Sequence, residues 1–175
     1  MIRPTADRVK ESLFNILAVL LEGFDQCRVL DLFAGTGNLG IESLSRGAAQ
    51  AVFIDNHRES LILVSRNLMM LGFNDRGRLI GKEALAALRF LEKTEPPFHL
   101  VFIDPPYRQG LAEMALKYLS ASPLINENSL VIAEFSSGEI LPMAFDNLKD
   151  FDRRIYGDTA IAFFRRTLQE NPKQS

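Results

Sequence analysis

The sequence predicts an α/β fold: a largely parallel sheet with helices on both faces, closed by a C-terminal hairpin. Three observations carry this expectation. Short apolar runs alternate with stretches of helical periodicity from residue 27 to residue 135. The first apolar run enters a glycine-rich turn, and the last two runs flank a Gly157-Asp158 pair that signals a hairpin. At 175 residues with 47% hydrophobic content the chain is long enough for one domain with a buried core. That domain is expected over 1–168, with an N-terminal helix in 1–22, an α/β core over 27–168 and a polar tail at 169–175.

The elements follow in order. Pro4 suits a first helical turn, and Val9, Leu13, Ile16, Leu17, Leu20 and Leu21 recur at helical spacing until Gly23 stops the segment. Residues 27–33 read as a buried strand. They run into Ala34-Gly35-Thr36-Gly37-Asn38-Leu39-Gly40 and then a helix over 39–46, which Gly47 ends. A second strand at 51–54 ends in Asp55. A helix over 58–71 follows, with Leu61, Val64, Leu68 and Leu71 on one face and Gly72 as its stop; His57, at its start, reads as a cap or surface residue. Residues 78–80 form a third strand, and Gly81-Lys82-Glu83-Ala84 lead into a helix that ends before Pro96. The fourth strand, 99–103, delivers Asp104. A helix over 110–119, a fifth strand over 129–135 with Glu134 near its end, and a hairpin of 151–156 with 160–166 complete the chain.

Composition excludes several classes. A net charge of −2 and a pI near 5.7 give no global basic footprint for bulk nucleic-acid binding, although a local patch is compatible with them. Arg3, Arg8 and Lys10 lie on or beside the polar side of the first helix, where they either meet phosphates or form a solvated face. Cys27 is the only cysteine, so no internal disulfide forms and a reduced cytoplasmic setting is expected. No run approaches the roughly 20 apolar residues of a membrane span, and the charged start is not a signal peptide. No His/Cys ligand cluster points to a metal.

The chemically richest stretch is Val101-Phe102-Ile103-Asp104-Pro105-Pro106-Tyr107. Neither proline can donate a backbone hydrogen bond, each fixes its own φ, and each pushes the residue before it out of the helical region. The strand therefore ends in a stiff, extended turn at the carboxyl edge of the sheet, where ligands bind in open α/β folds. An exocyclic amine on a nucleobase is a poor nucleophile, because its lone pair is delocalised into the ring. A carboxylate and a proline carbonyl can accept its N–H bonds, and an aromatic ring can stack on the base. The tetrapeptide alone also fits a plain strand-and-turn with a surface tyrosine.

The glycine-rich turn allows two cofactors. Gly35, Gly37 and Gly40 satisfy G-x-G-x-x-G, which equally suits a dinucleotide. Asp31, however, interrupts the apolar run before Gly35. An acid there resembles that of class I methyltransferases, where it helps hold the amino-acid end of S-adenosylmethionine. Asp31 would answer the ammonium, and the backbone of Phe33, Ala34, Gly35, Thr36 and Gly37 would meet the carboxylate. Asp55 with Asn56 would take the ribose hydroxyls, and Glu83 with Ala84 would sit at the adenine edge. Acids on three successive strand ends, with Asp104-Pro105-Pro106-Tyr107 on the fourth, make a constellation stronger than any one motif.

A family resemblance covers nearly the whole chain. Residues 3–17, from Arg3-Pro4-Thr5-Ala6-Asp7-Arg8-Val9-Lys10-Glu11 onward, resemble the N-terminal signature of the bacterial RsmD-type methyltransferases. So do residues 31–40 with the following 42–48, the turn 104–107, and Tyr156-Gly157-Asp158-Thr159. The resemblance implies a Rossmann-like class I S-adenosylmethionine-dependent methyltransferase with a mostly parallel seven-stranded sheet and an antiparallel C-terminal strand. It also implies S-adenosyl-L-methionine as donor, with S-adenosyl-L-homocysteine as product, and the N2 amine of one guanine in 16S ribosomal RNA, free or in the assembling small subunit, as acceptor. Asp104, Pro105, Pro106 and Tyr107 are then the catalytic turn, Arg3, Arg8, Lys10 and Arg108 face RNA, and the protein is expected to act as a cytoplasmic monomer. Alternatives are an amino-methyltransferase acting on adenine in DNA or another RNA, and a non-catalytic nucleotide-binding module; a nicotinamide oxidoreductase is a third. Two departures stand out. Family members usually carry an extra basic segment before the Arg-Pro-Thr motif, and Glu83 stands where many relatives have aspartate.

Overall fold

The computed structural model describes residues 4–106 and 109–168, with side chains from residue 6. The expectations on Arg3, Tyr107, Arg108 and the 169–175 tail therefore lie outside the described residues. The chain alternates α1 (Pro4–Leu20), β1 (Arg28–Asp31), α2 (Asn38–Ser45), β2 (Gln50–Ile54), α3 (Arg58–Leu71), β3 (Gly77–Ile80), α4 (Ala84–Leu91), β4 (Leu100–Ile103), α5 (Leu111–Ser120) and β5 (Leu130–Ser136). It closes with β6 (Ala144–Phe145), β7 (Leu148–Tyr156) and β8 (Thr159–Arg166).

These strands form one sheet in the order β3-β2-β1-β4-β5-β8-β7-β6. β3 to β5 run parallel, whereas β8 is antiparallel to both β5 and β7. Among the described residues the sheet has eight strands, not seven. The addition is β6, two residues paired with Leu148 and Lys149 at the edge, too short to leave a periodic signal. The first strand also stops at Asp31 rather than at residue 33, because Leu32 and Phe33 already turn away toward the glycine loop.

The central strands are buried on both faces. Leu100, Val101, Phe102 and Ile103 are each no more than 1% exposed, as expected of a parallel strand covered by helices. Leu100 and Phe102 join a core with α1, α2 and α3; Val101 and Ile103 join a second core with α4 and α5. Helix α1 buries Leu13, Phe14 and Leu17. In α3 only Val64 and Leu68 reach the core; Leu71, expected on that face, is 52% exposed at the helix end. β1 lies between β2 and β4, so the connections leaving β1 and β4 diverge to opposite sides. That topological switch point opens a crevice over the strands' carboxyl ends.

Candidate active site

Two cavities share this crevice. One, of about 730 Å³, lies between the glycine loop, α1 and the β7–β8 turn; the other, of about 450 Å³, lies toward β2 and β3. They meet at Phe33, Gly35 and Asp104, so one elongated ligand can occupy both.

The glycine loop is shaped from below. Gly35 and Gly37 take φ of 55° and 80°, the left-handed region that favours glycine. Gly35 donates its N–H to Asp55 Oδ2 at 2.9 Å, while Asp55 Oδ1 accepts from the His57 N–H at 2.8 Å. Both Asp55 oxygens thus fix backbone, and the residue still lines the smaller cavity beside Asn56, His57, Glu83 and Ala84. Asn56 Nδ2 reaches Glu83 Oε1 at 3.4 Å. Gly37 lines neither cavity; a Cβ there would meet Val64 at 3.0 Å, so it serves loop packing against α3.

Asp31, at the end of β1, is 1% exposed and accepts the Gly40 N–H through Oδ2 at 3.0 Å. Burial pushes its carboxyl up to about 7; the Gly40 N–H opposes this and the Asp55 charge adds to it. Asp104 follows β4, with Pro105 and Pro106 lining the smaller cavity behind it. It keeps some surface toward the crevice, yet its carboxyl is largely desolvated. Burial, then the charges of Glu134 and Asp31, push it up to about 8.

Glu134 carries no role in the sequence-based constellation, but the sheet gives it one. Ile103 pairs with Ala133, so Asp104 and Glu134 are the next positions on adjacent strands, and both line the larger cavity. The available signal was the one that marked Asp31: an acid ending an apolar run. The β7–β8 turn, Tyr156 to Thr159, walls the same cavity, and the Tyr156 hydroxyl lies 3.0 Å from Ser12 Oγ of α1.

The basic residues of α1 separate. Arg8 is exposed and lines a groove of about 600 Å³ with Arg154. Lys10 instead turns into the larger cavity, where Nζ donates to Asn38 Oδ1 at 3.0 Å. Among the described residues no group of three or more metal-capable side chains comes together, and no helix is long and apolar enough to cross a membrane.

These features suit a cationic, adenosine-like ligand. Two desolvated carboxyls, Asp31 and Asp104, stand in one cavity, and a ligand bearing positive charge would let both ionise. The profile of the family described as Conserved hypothetical protein 95 matches residues 1–165. The chain is 34% identical over 168 residues to ribosomal RNA small subunit methyltransferase D of Escherichia coli strain K12, covering 96% of this chain and 81% of that protein. A solved conserved hypothetical protein of Streptococcus pyogenes superposes with a TM-score of 0.81 at 31% identity, covering 90% of this chain and 95% of that one. The fold, though little sequence, is shared with SMU.776 in complex with S-adenosylhomocysteine: TM-score 0.67 at 14% identity, covering 83% of this chain and 47% of that one.

Proposed function

The chain belongs to the RsmD-type methyltransferase family, and from that premise we propose that it methylates the exocyclic N2 amine of a guanine in 16S ribosomal RNA of the small subunit. The donor is S-adenosylmethionine, which supplies an electrophilic methyl group on a sulfonium. The observation that carries the reading is that Asp104 and Glu134, one position beyond the Ile103–Ala133 pair of β4 and β5, line the same cavity as the glycine loop.

The smaller cavity takes adenosine between Asp55, Asn56, Glu83 and Ala84, and Asp31 faces the amino-acid end. The larger cavity takes the base, displaced from its stack at a cost of about a few kcal/mol. Asp104 and the Pro105 carbonyl accept the two N–H bonds of the amine and direct its lone pair at the methyl carbon. The new N–C bond forms as the C–S bond breaks, the electron pair goes to sulfur, and the amine proton leaves toward Asp104. Holding nitrogen, carbon and sulfur in line can supply about 7–11 kcal/mol of the barrier reduction. Tyr107 is the ring expected to stack on the base. Glu134 accepts the neighbouring N1–H, a donor that guanine has and adenine lacks. Arg8 and Arg154, along the adjoining groove, meet the RNA backbone.

Methyl-labelled S-adenosylmethionine offered with unmethylated 16S RNA, partly assembled small subunits or DNA, then digestion to nucleosides, tests this. Label in N2-methylguanosine is the expected result; label in adenine, or in no acceptor, overturns it. A second arm replaces the target guanine by 2-aminopurine, which keeps the amine but presents an acceptor at N1. The wild-type enzyme should prefer guanine by at least about tenfold, and Glu134→Gln, whose amide can donate, should shrink that preference. An unchanged ratio would remove Glu134 from base reading.

A further inference from the structure

Lys10 occupies an unexpected place. On sequence it belongs with Arg3 and Arg8 as a phosphate contact; in the structure it lines the cavity that holds Asp31, Gly35, Thr36 and Asn38. Its ammonium bridges α1 to the start of α2, donating to Asn38 Oδ1 at 3.0 Å and lying 3.6 Å from Glu42 Oε2. Glu42 is shared: its Oε1 accepts from Arg46 Nε at 2.9 Å. An ammonium carries three donors; Asn38 takes one and Glu42 lies at the edge of ion-pair range, so the side chain is held in position and keeps a donor for a further anion in the cavity. Beside it, the amino end of α2 contributes further positive potential to the same corner. Asp31, whose carboxyl a bound cation would ionise, lines the same cavity. The cavity thus has an acid and a base arranged to receive a zwitterion.

We propose that Lys10 binds the carboxylate of the cofactor's amino-acid end, opposite Asp31 on the ammonium, and so is a cofactor-binding residue rather than an RNA contact. This rests on the reading of S-adenosylmethionine as donor, but not on which nucleic acid is the acceptor. It also makes α1 a bridge, since Ser12 of the same helix meets Tyr156 of the turn that walls the acceptor side.

Equilibrium binding of two ligands separates the roles: S-adenosylhomocysteine, and its decarboxylated analogue, which keeps the ammonium and lacks the carboxylate. Lys10→Met should weaken S-adenosylhomocysteine about ten- to hundredfold and leave the analogue unchanged, with Lys10→Arg recovering part of the loss. Glu42→Gln, which relieves Lys10 of its other anion, should widen the wild-type preference for the carboxylated ligand. Equal weakening of both ligands by Lys10→Met would make the residue merely structural. Unchanged S-adenosylhomocysteine binding, with RNA affinity lowered and its salt dependence reduced, would return Lys10 to the phosphate role. Failure of the wild-type protein to bind either ligand would overturn the cofactor reading itself, and Lys10's part with it.

Discussion

Asp55 and Asp31 end neighbouring parallel strands, yet the fold treats their charges in opposite ways. Asp55 has backbone N–H groups on both oxygens, from Gly35 and His57, and its charge is answered by the chain itself. Asp31 has one such partner, Gly40, and is 1% exposed; Asp104, just after β4, is desolvated with Glu134 and Asp31 as neighbours. One half of the crevice is therefore complete without a ligand, and the other half is built for a cation that the ligand must bring. Position at a strand end marks an acid as part of the site, but its partners decide whether it shapes the loop or waits for the chemistry.

The largest effect should come from removing one acid of each kind. Asp104→Ala is expected to slow methyl transfer on the order of 10²–10³-fold at saturating cofactor, the scale of losing one charge-stabilising partner in a dry site, with S-adenosylhomocysteine affinity nearly intact. Asp55→Ala should do the reverse: the Gly35 N–H loses its anchor, cofactor binding weakens, and transfer at saturation survives. Single-turnover rates and equilibrium binding on both variants check this. Equal losses in both measurements for both variants would dissolve the distinction.

The next test uses pH. An Asp titrates near 3.9 when unfolded, whereas Asp31 and Asp104 are held up to about 7 and about 8. Between the unfolded and folded values the native state binds more protons than the unfolded chain, so stability falls as pH rises. Their contribution is full below the unfolded value and is lost once pH has climbed through about 7 for Asp31 and about 8 for Asp104. The melting temperature of the ligand-free protein should thus drop progressively between about pH 4 and about pH 8 and level off above that, and Asp31→Asn with Asp104→Asn should flatten the drop. S-adenosylmethionine, bearing two cations, should raise the melting temperature more at the higher pH. A ligand effect independent of pH would mean that the two acids are not its counter-charges.

Much of this was legible in the sequence where a residue's neighbours along the chain settle its fate. The bounds of α3 follow from His57 and Gly72, and β4 reads as a continuous apolar run because it is covered on both faces. The acids at Asp31, Asp55 and Asp104 stand out for the same reason: each interrupts or ends such a run. What escaped depends on contacts between distant segments. Glu134 gains meaning only when the sheet order sets β5 beside β4, and Lys10 only when α1 is laid against α2. β6 is held by its pairing with β7 rather than by any pattern of its own. Leu71 keeps helical spacing with Leu68, but the helix has already passed the edge of the core there.

The smallest effect concerns how the loop and Asp31 are joined. Gly40 sits inside α2, and a Cβ there would lie 2.4 Å from Cε1 of Phe53, a ring on β2 that is fully buried. The ring is wedged in the core with α1 and α3, so it cannot swing clear as a surface side chain would. Gly40→Ala must lift α2 from the sheet or tilt Phe53, and either movement draws the Gly40 N–H from Asp31 Oδ2. Overpacking of this kind costs about 1–3 kcal/mol, offset by about 1 kcal/mol of better helix propensity, so a modest fall in melting temperature is expected. Cofactor affinity should fall with it, because Asp31 would lose the hydrogen bond that fixes its aim. Pairing Gly40→Ala with Phe53→Leu makes room for the methyl group and should restore affinity more than stability. Recovery of neither would mean that this glycine is required by the backbone of the loop, as Gly35 is, and not by the approach of the helix to the strand.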